Sequence, residues 1–118
     1  MSGYGLGDKL SSRMTIRTNA DGSEVWAEAE PGRMISEMDI EVLKMTASKM
    51  GARVTDPTGA AEFTIRDHAA GERSRIENWL GREGYESVLS DDTRHRWYRE
   101  EMQKAEQYMK DDLREIGK

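Results

Sequence analysis

The segment Thr93-Arg94-His95-Arg96-Trp97-Tyr98-Arg99 gathers three arginines, one histidine and two aromatic residues into seven positions. Guanidinium groups bind carboxylates bidentately and stack on aromatic rings, and Trp, Tyr and Arg dominate the energetics of protein contacts. On a helix, Arg94, Trp97 and Tyr98 share one face while Arg96 and Arg99 share another. Three readings fit this composition. In the first, Trp97 and Tyr98 anchor a helix to the core and the arginines pair with Asp92, Glu100 or Glu101. In the second, the segment is a protein-contact surface. In the third, stacking and phosphate pairing serve a nucleic acid, a reading opposed by the eight acidic residues between 91 and 118. The expected partner-binding surface combines Arg94, Arg96, Trp97 and Arg99 with Tyr108 further along the chain and with Trp26.

A second group of interest is Met34, Met38, Met45 and Met50. Thioether side chains fill irregular spaces in cores and also suit adaptable binding surfaces. With branched aliphatic residues scarce, core packing is the expected role.

The inventory for catalysis is thin. Without cysteine there is no thiol nucleophile, disulfide or thiolate metal site. No Gly-x-Ser-x-Gly elbow and no Gly-Lys-Ser/Thr phosphate loop occurs. The two histidines, 27 positions apart, do not match a zinc spacing, and the acidic residues do not match a calcium loop. Asp67-His68 with Glu72 is the one arrangement that could orient an imidazole as a base. The plainer reading makes Asp67 a helix cap and His68 part of a solvated first turn. No catalytic residue, metal or cofactor is assigned, and the chain is expected not to be an enzyme.

These groups must be positioned by one small domain. The chain has 118 residues and a net charge of −5, from 18 Lys and Arg against 23 Asp and Glu. Leu, Ile, Val and Phe number only 17, low enough to raise intrinsic disorder. Eight Met, three Trp and four Tyr restore much of the missing apolar volume. Charge is mixed along the chain, with neither the basic stripe of a nucleic-acid binder nor the acidic blocks of a DNA mimic. No apolar run approaches the ~20 residues of a membrane span, and no signal-peptide core stands out. A cytoplasmic location is therefore expected.

Residues 1–13, rich in Gly and Ser, read as a flexible arm, with Leu6 and Leu10 able to dock on a neighbour. Residues 14–118 read as a single α+β domain. Met14–Thr18 and Glu24–Ala29 flank Asn19-Ala20-Asp21-Gly22 as a β-hairpin, with Trp26 on the acidic face of its second strand. Ser36 caps a helix over 38–50 whose apolar positions are Ile40, Leu43, Ala47 and Met50, widened by Val42 and Met45, and Gly51 stops it. A second hairpin is expected from a short strand at 52–55, a turn at Asp56-Pro57-Thr58-Gly59, and an alternating strand with Ala61, Phe63 and Ile65 inward. A helix over 68–82 follows, ended by Gly81 and Gly84, and a weakly indicated strand at 85–89. The architecture is thus a small antiparallel sheet of four to five strands with three helices.

The last helix carries most of the functional expectation. Tyr98, Met102, Ala105, Met109, Leu113 and Ile116 recur at helical spacing with no Gly or Pro between them. A helix of ~25 residues would be ~37 Å long, more than the ~28 Å diameter expected of so small a domain. Part of it must therefore overhang the core or pack against another molecule. The leading expectation is a small non-enzymatic protein acting by protein–protein contact, an accessory or inhibitory protein of the kind phages and mobile elements encode. The alternative is a self-assembling subunit of a particle or ring, a homo-oligomer built through the C-terminal helix. A nucleic-acid-associated regulator is a minor third reading.

Overall fold

The computed structural model describes residues 14–86 and 90–118, with the side chains of 82–86 excepted. The proposed arm at 1–13 and the last three residues of the proposed strand at 85–89 lie outside the described residues. The described elements run β1 (Met14–Thr18), β2 (Glu24–Ala29), α1 (Glu37–Met50), β3 (Arg53–Val54), α2 (Ala60–Glu86) and α3 (Asp91–Glu115). The fold is α+β, with three helices and one three-stranded sheet in the order β1-β2-β3.

The first hairpin forms as its turn residues dictate. β1 and β2 pair antiparallel, with Met14 opposite Ala29 and Arg17 opposite Trp26. Gly22 takes the positive φ of 73° that closes the loop. The Asn19 side chain accepts from the Glu24 amide at 3.0 Å, and the Asp21 carboxylate accepts from both the hydroxyl and the amide of Ser23. Those two bonds, the hydroxyl first, hold the Asp21 carboxyl below its ordinary pKa. Alternation then buries Val25 and Ala27 completely and turns Trp26 to the opposite face.

α1 begins at a reciprocal cap. The Ser36 hydroxyl accepts from the Asp39 amide at 3.0 Å, and the Asp39 carboxylate accepts from the Ser36 amide at 2.9 Å. Gly51, with φ 66°, ends the helix in the left-handed conformation. Between these stops Ile40, Leu43 and Ala47 face the sheet and are buried.

The expected second hairpin is absent among the described residues, and two corrections follow. β3 is only two residues long and pairs parallel to β2, Val25 opposite Val54, so α1 is the crossover of a β2-α1-β3 unit. The sheet is therefore mixed and three-stranded rather than antiparallel with four or five strands. Residues 61–66, read as an alternating strand, are the start of α2. Asp56 decides this outcome: its carboxylate accepts from the amides of Ala61 and Glu62, each at 3.0 Å, and so satisfies the otherwise orphaned first turn. What looks like a hairpin turn is a helix start. The buried residues follow the helical period, Ala61, Thr64, Ile65 and Ala69, and Phe63 is left exposed.

α2 also outruns its expected limits of 68 and 82. Asp67 lies inside the helix and does not cap it, Gly81 and Gly84 do not end it, and Tyr85 and Glu86 continue it instead of opening a strand.

The chain divides into two compact units. Among the described residues, the first comprises 14–65 with 113–118, and the second comprises 66–112. The core of the first centres on Val25, Ile35, Leu43 and Ile116, all fully buried. Its C-terminal segment is held by the Lys44–Glu115 ion pair and by Lys118, whose ammonium is 3.3 Å from Glu62 and 3.9 Å from Asp56. The second unit is a helical hairpin formed by the later part of α2 and the earlier part of α3.

The single 25-residue α3 expected from the sequence is present. Its seam is half-buried at Tyr98, Met102, Ala105 and Met109 and buried at Leu113 and Ile116.

Candidate functional site

The arginine-rich segment occupies the first two turns of α3. Ser90 opens the helix by accepting from the Thr93 amide at 3.2 Å. Arg94 is ion-paired with Asp91 one turn earlier, and its side chain is only 12% exposed. Its Nε–H has no hydrogen-bond partner among the described residues. Trp97 stacks on Trp79 of α2, ring centroids 4.1 Å apart at 44°, and so closes the helical hairpin. Two of the sequence-predicted contact residues are thus engaged within the second unit.

The remaining predicted residues present themselves differently. Arg96 and Arg99 are exposed on α3, as is Tyr108, at 68%. His95 is exposed, with Nδ1 2.8 Å from the Asp91 carbonyl. Trp26 is half-buried on β2 in the first unit, whereas the other five belong to the second.

The Trp pair borders a groove of about 630 Å³ lined also by Gly71, Glu72, Arg75, Ile76 and Glu101. Glu72 and Arg75 form an ion pair across its edge. Replacing Trp97 by Ala removes the stack between the two helices. The expected loss is about 1–2 kcal/mol, since an aromatic pair adds ~0.5–1.5 kcal/mol to its burial and Trp97 is only half-covered. Loss of protection in hydrogen exchange over 76–86 and 91–101, with protection of α1 unchanged, checks it.

The imidazole of His68 is 47% exposed and lies 4.0 Å from Glu72, which also binds Arg75. No cluster of three or more His, Cys, Asp or Glu with metal-holding geometry occurs among the described residues.

The surface that sequence reasoning placed in the core lies on α1. Met38, Val42 and Met45 are 55%, 40% and 58% exposed. Their 4-3 spacing puts them on one face of the helix, opposite Ile40, Leu43 and Ala47. Met34 and Met50, near the two ends of the helix, are exposed as well. Core packing therefore fails for all four members of the methionine cluster. The physical reason is that a short mixed sheet covers one side of α1 only, and branched residues Ile40 and Leu43 occupy that side.

Phe63, also missed, is exposed and lines a cleft of about 500 Å³ with Met34, Ala29 and Arg33. Both oversights had a signal in the sequence: Met38-Val42-Met45 is a second apolar stripe, and one small sheet can bury only one. An apolar face on an exposed helix can bind another protein.

No family model, no curated protein and no solved structure matches this chain. Among the described residues no helix is long and apolar enough to cross a membrane.

Proposed function

We propose that the protein is a non-enzymatic binding protein that acts by protein–protein contact, and that the outer face of α1 is its contact surface. The observation that carries this reading is the exposed stripe of Met38, Val42 and Met45 on a helix whose other face is fully packed. Complete burial of a side chain of this size is worth ~1.5–3 kcal/mol, so a partner covering the exposed parts of all three gains on the order of 2–4 kcal/mol before association costs. Methionine adapts to uneven partner surfaces. The Arg96, Arg99 and Tyr108 surface of α3 is secondary, because its strongest candidates, Arg94 and Trp97, are engaged internally.

Affinity capture from native cell extract tests the assignment. The M38E/M45E double variant keeps its helix content by circular dichroism, since both positions are exposed, and loses partner retention by roughly tenfold or more. R96A/R99A retains the partner. The converse pattern, with capture lost by R96A/R99A and kept by M38E/M45E, moves the contact surface to α3.

A further inference from the structure

We infer that the cleft beside Phe63 is covered by the chain's own N-terminal segment, residues 4–10, with Leu6 and Leu10 laid against Phe63 and Met34. This cleft is distinct from the outer face of α1, and its occupant does not depend on the function proposed for that face.

The cleft opens at one end of the sheet. β2 ends at Ala29, and the chain then turns, the Glu30 carbonyl accepting from the Arg33 amide at 2.9 Å. Ala29, Arg33 and Met34 from this stretch line the cleft together with Ala60 and Phe63 from the start of α2. Phe63 is 62% exposed and Met34 43%, so two large apolar side chains stand open on the first unit.

The strand register fixes where the N-terminal segment joins the fold. Met14 is buried and pairs with Ala29. The residues before it therefore enter the fold about 5 Å, one strand spacing, from a residue that lines the cleft. At ~3.3 Å per residue an extended chain carries Leu10 up to ~13 Å from Met14 and Leu6 up to ~26 Å. Both can lie over a cleft that begins beside Met14's own strand partner.

The chemistry matches as well. Glu28, which also lines the cleft, is ion-paired with Arg17, and Arg33 with Glu30. What the cleft offers an occupant is apolar surface, and Tyr4, Leu6 and Leu10 are the apolar side chains that the nearby segment can bring to it. The covalent link decides between this segment and a separate molecule. A short flexible tether holds its ligand at an effective concentration in the millimolar range, and docking it forfeits none of the translational freedom that a free partner gives up.

Oxidation of the full chain by mild peroxide, followed residue by residue by mass spectrometry, reads the cover over Met34. Met34 should oxidise several-fold more slowly than Met38, which is 55% exposed and outside the cleft. L6S/L10S should bring Met34 up to the rate of Met38 and leave Met38 itself unchanged. Urea melts supply a second reading. F63S should lower the midpoint in the wild-type background and barely move it in L6S/L10S, because side chains in contact act non-additively.

Oxidation of Met34 at the rate of Met38 in the wild-type chain overturns the inference, as do additive effects of F63S and L6S/L10S. Protection of Met34 that grows with protein concentration assigns the cleft to a second copy, and protection found only in cell extract assigns it to another protein; either result overturns it too. If Met34 is unprotected while M38E/M45E still abolishes partner capture, the function proposed for α1 stands and this inference alone fails.

Discussion

Replacing Ile116 by Ala lowers the unfolding free energy by about 3 kcal/mol, within the ~2–5 kcal/mol range of Ile→Ala changes in packed cores. Ile116 is 1% exposed and belongs to the few side chains that close the core of the first unit, beside Val25, Ile35 and Leu43. It arrives there from the far end of the chain, just past the C-terminus of α3. The loss should appear in urea melts as a lower midpoint with an unchanged slope. A loss below about 1 kcal/mol would mean that the C-terminal segment is not part of that core.

Asp56→Ala is expected to cost about 2–3 kcal/mol, more than an ordinary cap, whose removal costs ~0.5–2 kcal/mol. The excess arises because Asp56 is 5% exposed and one of the two amides it accepts from belongs to fully buried Ala61. Leaving a buried donor unsatisfied costs ~1–3 kcal/mol in its own right. The ammonium of Lys118 also loses one of its two carboxylate neighbours. Asp56→Asn, which keeps one acceptor oxygen, should recover part of the loss. Equal destabilisation by Ala and Asn would show that the negative charge, and not hydrogen-bond acceptance, starts α2.

Asp56 also marks where sequence reasoning stopped. The hairpin of β1 and β2, the cap at Ser36, the stop at Gly51 and the full span of α3 were all legible, because each is set by local chemistry: a turn glycine, a hydroxyl before an acidic turn, an uninterrupted helical period. Residues 52–66 were not. Asp-Pro-Thr-Gly serves equally as a hairpin turn and as a helix start, and Ala61, Phe63 and Ile65 alternate as a strand would while Ala61, Ile65 and Ala69 recur as a helix would. The choice between them depends on whether α1 returns the chain to pair parallel with β2, a long-range fact that a two-residue strand leaves no local trace of.

The candidate surface was half-legible for a related reason. The composition of 93–99 resembles that of a contact hot spot, but Trp97 finds its partner in Trp79, eighteen positions earlier. The methionines of α1 were noticed and assigned to the core, because an apolar helix face does not announce whether a sheet exists to cover it.

Methionine oxidation reads the central claim, that the outer face of α1 is covered by protein when the molecule is at work. Exposed thioethers convert to sulfoxide under mild peroxide, whereas covered ones are protected. The protein is treated once in isolation at high dilution and once in extract of its native cells at working concentration, and each methionine is followed by mass spectrometry. Met38 and Met45 should oxidise quickly in isolation and slowly in the extract, while buried Met14 stays slow in both. Equal oxidation of Met38 and Met45 under the two conditions would contradict the account.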